Sequence, residues 1–178
     1  GLTHSLIRAT GEARGRYLAR QDSDDRSRPN RFALQVAFLD SRPDIAAVGS
    51  DAVVIDQSGQ KIKTMVSERG TGTIRNSLLS LRSTPVHGSV MMRRESVLAV
   101  GGYRLAFTVS QDFDLWLRLT EHFGLDNLPD ILYEWRFNPA GVYSTRRSEQ
   151  MMFSSIALAF THERQLSGKD SYSLLEAA

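Results

Sequence analysis

The segment Tyr17-Leu-Ala-Arg-Gln-Asp-Ser-Asp-Asp25 runs directly into Arg26-Ser-Arg-Pro-Asn-Arg-Phe-Ala-Leu-Gln35. Its opening residues predict a short strand that ends in an acidic turn, Asp22–Asp25. Ser27 and Pro29 then predict the start of a helix, with Ser27 as N-cap and Phe32, Val36 and Leu39 on the buried face. Ligand sites in open α/β sheets lie at the carboxyl ends of strands, which is where this turn falls. Carboxylates two residues apart on a turn can converge on one hard cation such as Mg²⁺ or Mn²⁺. An ion held there can bridge to a diphosphate and neutralise a leaving group. Taken alone, the simpler account is that these aspartates decorate a helix N-terminus, where the dipole favours negative charge. An EF-hand is excluded, because the fifth loop position would be Arg26 and no glycine follows.

On the N-terminal side, Leu2, Leu6, Ile7, Ala9 and Ala13 form a helical stripe that ends near Gly15. On the C-terminal side, Ile45–Asp56 is strongly β-forming. The turn Gln57–Gln60 joins it to Lys61–Val66 as a hairpin. Helices are expected over Thr73–Leu81, with Ile74, Leu78 and Leu81 inward, and over Arg94–Val100, stopped by Gly101-Gly102. Another is expected over Asp112–Phe123, with Leu115, Trp116 and Leu119 inward. Val86–Met92 and Leu128–Phe137 read as strands. Thr145–Gln165 reads as a long last helix with Met152, Ile156 and Phe160 on one face, and Gly168 ends it. Strands alternating with helices indicate a layered α/β sheet.

Composition narrows the function classes. The 178 residues are 41% hydrophobic and 24% charged, an ordinary globular balance. No apolar run approaches the roughly 20 residues needed to cross a bilayer. Gly1-Leu-Thr-His4 does not read as a secretory signal. With no cysteine, thiol catalysis, Cys-ligated zinc and disulfides are excluded, and a reducing compartment fits. The net charge of +2 argues against a dedicated nucleic-acid binder, which carries a clustered basic excess. Of the 22 basic residues only Lys61, Lys63 and Lys169 are lysines, and arginine suits bidentate contacts to phosphate and carboxylate.

The stretch from Ala13 to Leu39 resembles the central segment of family-2 glycosyltransferases. There a strand delivers a D-x-D-D turn, followed by a helix opening S-x-P-x-R-F/L with a glutamine further along. The resemblance continues in order through Ala47-Val-Gly-Ser-Asp51, the Asp56…Gly59 hairpin, His87-Gly-Ser-Val-Met-Met-Arg-Arg94 and Val100-Gly-Gly-Tyr-Arg104. It ends with Gln111-Asp-Phe-Asp-Leu-Trp-Leu-Arg-Leu119 and covers about residues 1–150. It implies a GT-A fold, a Rossmann-like mixed sheet flanked by helices. It also implies that the chain is the C-terminal part of such a catalytic domain, without the first nucleotide-binding strands. Residues 1–143 would form the metal and acceptor half, and residues 144–178 a C-terminal helical segment. A sheet lacking its first strands exposes an edge, so self-association is expected.

The implied activity is metal-dependent transfer of a sugar from a nucleotide-diphosphate sugar to a saccharide or lipid-linked acceptor, with inversion. The implied setting is cytoplasmic, or peripheral at the inner membrane face. Asp22 and Asp24 match the residues that hold Mg²⁺ or Mn²⁺ and the diphosphate. Asp25 falls on the acceptor side or caps the helix. Inverting transfer needs a base to take the acceptor's proton, and Asp112 matches the family's aspartate. Gln111, on the acceptor side, stands where the family has glutamate, and this removes a charge beside the base. Without the resemblance, Asp112 reads as a helix N-terminal aspartate with Ser110 as cap. His87 matches an acceptor-side histidine, and a buried hydrogen-bonded histidine is an equal alternative. Asn138 stands where a histidine often completes the metal site, and an amide oxygen is a weaker ligand. Arg136 and Arg146 are candidate diphosphate contacts. The departures at Gln111 and Asn138 leave a second reading open, a non-catalytic carbohydrate- or partner-binding module. A phosphotransferase lacks support, since Gly70-Thr-Gly72 is not followed by a Walker lysine.

Overall fold

The structure, a computed structural model, describes residues 1–177. The chain runs α1 (Leu2–Glu12), β1 (Tyr17–Ala19), β2 (Arg26–Ser27), α2 (Arg31–Ser41), β3 (Ile45–Ile55), β4 (Lys61–Met65) and α3 (Thr71–Leu79). It continues with β5 (Met91–Arg93), α4 (Arg94–Ala99), α5 (Gln111–Thr120), β6 (Gly124–Arg136), α6 (Val142–Thr145), α7 (Arg147–Ser167) and α8 (Tyr172–Ala177).

β3 organises the sheet. All eleven of its residues are buried, as its near-continuous apolar sequence requires of a central strand. β6 pairs parallel along its whole length, while β5 and β4 pair antiparallel with its two halves. The strand order is β1-β5-β3-β6-β2, so β1 and β2 are edges. In β6 the register jumps from Ser50↔Leu128 to Asp51↔Ile131, which leaves Pro129 and Asp130 outside the ladder. A proline cannot donate to the ladder, so an irregularity is where it belongs. One face of the sheet packs on α3, α5 and α7, with Leu78, Trp116, Leu119 and Phe160 among the residues in that core. The other face packs on α2 through Leu39, Ile45, Val48 and Met91. The result is a mixed sheet between two helical layers.

Several expectations are corrected. Ser27 does not cap a helix: it lies in β2, paired with Tyr133, and its hydroxyl donates to Gln21 Oε1. α2 starts only at Arg31, after Asn30. Phe32 is half exposed, and the inward residues of α2 are Arg31, Gln35 and Leu39. Val86–Met92 is not one strand: His87–Ser89 form a 3₁₀ turn, and the strand begins at Met91. Leu81 is exposed because α3 has already ended; the chain turns left-handed there (φ 53°) and Arg82 N–H returns to the Ser77 carbonyl. On α7, Met152 faces outward while Ala157 and Phe160 face the core. α8, which the sequence pattern does not suggest, lays Tyr172 against Phe107.

Candidate active site

The acidic turn leaves β1 at the sheet edge, and β6 holds it. Asp22 N–H donates to the Tyr133 hydroxyl at 3.1 Å, and Arg20 Nη2 donates to Asp22 Oδ1 at 2.5 Å. Asp24 is exposed to solvent. Asp25 is buried and caps no helix: its Oδ1 accepts the Arg136 N–H at 2.7 Å, and its Oδ2 has no hydrogen-bond partner among the described residues. Burial pushes the Asp25 carboxyl above its usual range. The Arg136 amide and the nearness of the Tyr133 hydroxyl oppose this, and the negative charges of Asp22 and Asp24 add to it. The turn is therefore a concentration of negative charge.

Arg136 does not project freely toward a ligand. Its Nε donates to the Asp24 carbonyl at 2.9 Å, and its Nη1 donates to the carbonyls of Asp56 and Gln57 at 2.7 and 3.0 Å. It ties the acidic turn to the β3–β4 hairpin.

The inward face of α2 is polar because it serves carbonyls. Arg31 is fully buried; its Nη2 donates to Arg20 O and Val90 O, its Nη1 to Ser27 Oγ and its Nε to Gln35 Oε1. The guanidinium lies 5.1 Å from the centre of the Tyr133 ring. Burial lowers its pKa to about 10, which still leaves it charged at neutral pH. Gln35 Nε2 donates to Val48 O and Ser89 O at 2.9 and 2.7 Å. These two side chains bind together the end of β1, the centre of β3 and the turn that carries His87. The apolar pattern misses them, although their i, i+4 spacing puts both on one helix face.

The 3₁₀ turn brings His87 over α5. His87 Nε2 lies 2.8 Å from the Tyr103 hydroxyl, and Nδ1 faces Asp112 Oδ2 at 4.0 Å. The ring meets Trp116 edge-on at 5.8 Å. Burial lowers the His87 pKa, the Asp112 and Asp22 carboxylates pull it back up, and Arg20 adds to the lowering. The acidic turn adjoins this turn through Tyr133, whose hydroxyl receives the Asp22 amide and lies against Gly88, the residue after His87. Gln111 is buried at the head of α5. Ser110 does not cap that helix: it is left-handed (φ 54°), and its hydroxyl donates to the Gln150 carbonyl at 2.9 Å.

Gly88 closes the site from below. A β-carbon there would lie 2.2 Å from the Tyr133 hydroxyl, which itself receives the Asp22 amide. Gly88→Ala is expected to destabilise the fold by about 1–3 kcal/mol, the usual cost of overpacking, and chemical denaturation reads it. An unchanged midpoint would mean that Tyr133 moves aside freely.

Asn138 and Arg146 are not brought to this cluster. Asn138 is exposed, and its Oδ1 accepts the Ala140 N–H within its own turn. Arg146 pairs with Glu149 three residues along. Among the described residues, no three carboxylate or histidine groups form a preformed metal cage. No described helix is long and apolar enough to cross a membrane.

The sequence model of glycosyl transferase family 2 matches residues 1–101. The chain is 37% identical over 142 residues to EpsE of Bacillus subtilis (strain 168), provisionally assigned as a glycosyltransferase; the match covers 76% of this chain and 47% of EpsE. It is 29% identical over 140 residues to the O-antigen biosynthesis glycosyltransferase WbnJ of Escherichia coli, covering 77% of this chain and 54% of WbnJ. Among solved structures it resembles the mannosyltransferase PcManGT of Pyrobaculum calidifontis, in complex with GDP-Man and Mn²⁺. The TM-score is 0.55 at 16% identity, covering 99% of this chain and 58% of that one. The fold is of the GT-A type. This chain belongs to glycosyl transferase family 2. It spans about half the length of the curated relatives it matches.

Proposed function

We propose that this chain carries the metal and acceptor half of an enzyme that moves a sugar from a nucleotide-diphosphate sugar to an acceptor hydroxyl, with inversion. The observation that supports this reading is that His87 faces the base candidate Asp112 at 4.0 Å while the neighbouring Gly88 lies under the Tyr133 hydroxyl that holds the Asp22 amide.

The donor set fits a divalent ion. Asp22 and Asp24 offer hard oxygens, and the raised pKa of Asp25 reflects in part negative charge that a cation would offset. Mg²⁺ in such sites is held by one or two carboxylates, with substrate phosphates and water completing the shell. Bound there, the ion would stabilise the charge on the departing diphosphate. The Mn²⁺ and GDP-Man of PcManGT support Mn²⁺ as the ion to try first. Asp112, one-fifth exposed, would accept the proton of the attacking hydroxyl. Arg136 would act by fixing the turn's shape, and Arg146 would need to leave Glu149 to reach a phosphate. The names of relatives such as WbnJ support a saccharide acceptor in polysaccharide biosynthesis. A cytoplasmic site of action, peripheral to the membrane where the acceptor is lipid-linked, belongs to the same reading. In this reading the described residues of the 144–178 segment brace residues 1–143 from outside, and residue 178 lies outside the described residues. The edge strand β1 would support self-association, which light scattering at high concentration tests; a strict monomer contradicts it.

A thermal-shift series with UDP-, GDP- and TDP-sugars, each with and without Mn²⁺, tests the donor site. A ligand at a hundred times its Kd stabilises by about 2.7 kcal/mol, a shift of several degrees for a domain of this size. One nucleotide should stabilise the protein, and only with Mn²⁺. No shift with any pair would favour the alternative, a binding module on the same scaffold.

A further inference from the structure

We propose that Tyr103 fixes the tautomer of His87, holding its single ring proton on Nδ1, toward Asp112, so that Tyr103 and His87 act as a positioning pair for the base.

This rests on the reading of Asp112 as the base, and the geometry adds the rest. The Tyr103 hydroxyl is buried, and among the described residues its hydrogen-bond partner is His87 Nε2, at 2.8 Å. Burial raises the Tyr103 pKa, so the phenol keeps its proton. Burial lowers that of His87, so the imidazole is neutral and carries one proton. Two arrangements are then available. In the first, Tyr103 donates to Nε2, and the ring proton sits on Nδ1, facing Asp112 Oδ2 at 4.0 Å. The phenol proton then has an acceptor, and the Nδ1–H is turned toward a carboxylate that attracts it. In the second, Nε2–H donates to the phenol oxygen. The phenol proton is then left buried without an acceptor, and the bare Nδ1 lone pair faces a carboxylate. A buried donor without a partner carries its full desolvation penalty, and the lone-pair repulsion adds to it. The first arrangement is therefore preferred.

The other charges near the ring are Arg20 and Asp22, at the end of β1. Trp116 meets the ring edge-on and limits its rotation. At 4.0 Å the Nδ1–H does not yet make a full hydrogen bond to Asp112. Such contacts often tighten only when substrate is bound. A donor aimed at one carboxylate oxygen orients the carboxylate and leaves the other oxygen for the acceptor hydroxyl. Which ring nitrogen bears the proton is set by the hydrogen bond that the other makes, and here the other is held by Tyr103.

The experiment is ¹⁵N NMR of the histidine rings at neutral pH, on the wild-type chain and on Tyr103→Phe, with no ligand added. The wild type should show His87 as one tautomer, with Nδ1 protonated and Nε2 bare. Tyr103→Phe should lose that single pattern and shift toward protonated Nε2. Nε2 protonation in the wild type would overturn the proposal, and so would an unchanged pattern in Tyr103→Phe. If the variant fails to fold, the wild-type tautomer alone decides. In a transfer assay, Tyr103→Phe should lower kcat by about 10–100-fold, as when a ring-orienting partner is removed, with the donor KM unchanged. The tautomer is read without turnover, so it stands or falls apart from the catalytic reading. An active Asp112→Asn variant alongside the expected tautomer would sink the base assignment and leave the Tyr103–His87 geometry intact.

Discussion

Arg31→Leu is expected to unfold the protein or to lower its stability by about 2–5 kcal/mol, the cost of leaving two buried acceptors without a donor at about 1–3 kcal/mol each. A domain has only about 5–15 kcal/mol in total, so this loss is decisive. Arg31 has no solvent exposure and donates to two main-chain carbonyls, a serine hydroxyl and a glutamine oxygen. Leucine fills much of the volume but leaves Arg20 O and Gln35 Oε1 without a donor. Arg20 O loses the bond that fixes the strand end just before Asp22. Arg31→Lys should recover only part of the loss, because one ammonium cannot reproduce a planar fork over the Tyr133 ring. Urea denaturation followed by circular dichroism reads both variants. A midpoint unchanged in Arg31→Leu would show that α2 holds the sheet by its apolar contacts alone.

The second large effect is on chemistry. Asp112→Asn should lower transfer by about 10²–10⁴-fold, the range a general base supplies. Stability should stay within about 0.5 kcal/mol, as for other partly exposed sites. The Asp112 carboxylate is one-fifth exposed, and the Nδ1 of the His87 ring stands 4.0 Å away. Mn²⁺-dependent donor binding should survive, since Asp22 and Asp24 are untouched. Turnover at the wild-type rate in Asp112→Asn would remove Asp112 from the reaction. Asp114, two residues on, is a different case: it is buried and paired with Arg118, so it serves the fold.

Much of the fold was legible in the sequence where local signals and burial agree. The β-branched run of β3 and the Ser58-Gly59 turn after it define a hairpin in any context. The inward residues of α5 fall at helical spacing, and Leu115, Trp116 and Leu119 all pack in the core. The reading failed where a polar side chain is the buried one. Apolar periodicity places Phe32 inside α2, yet the inward positions belong to Arg31 and Gln35, which meet carbonyls of three other segments. It failed again at Val86–Met92, where apolar residues suggest one strand. There Gly88 leaves the space that the Tyr133 hydroxyl occupies, and the chain bends into the 3₁₀ turn. A contact with a residue so distant along the chain leaves no mark in the local pattern.

Of the candidate site, the sequence names Asp22, His87 and Asp112; in the structure His87 faces Asp112 at 4.0 Å, and the next residue, Gly88, lies under the Tyr133 hydroxyl that receives the Asp22 amide. Tyr103 and Tyr133 are missed as site residues, because a tyrosine in an apolar stretch carries no local sign that its hydroxyl is the part that matters. Asn138 and Arg146 are named, and the structure uses both for contacts within their own segment. Nothing within a turn or a helix end tells such local partners from a ligand.

The central claim is that the acidic turn and the His87–Asp112 pair form one site around a metal-bound diphosphate. Paramagnetic broadening by Mn²⁺, in the presence of the nucleotide that stabilises the protein, tests it most directly. The account predicts that the amide signals of Ser23, Asp24, Asp25, His87 and Asp112 broaden together, and that Asp22→Asn abolishes the effect. Broadening confined to residues outside this cluster, or broadening that survives in Asp22→Asn, would contradict it.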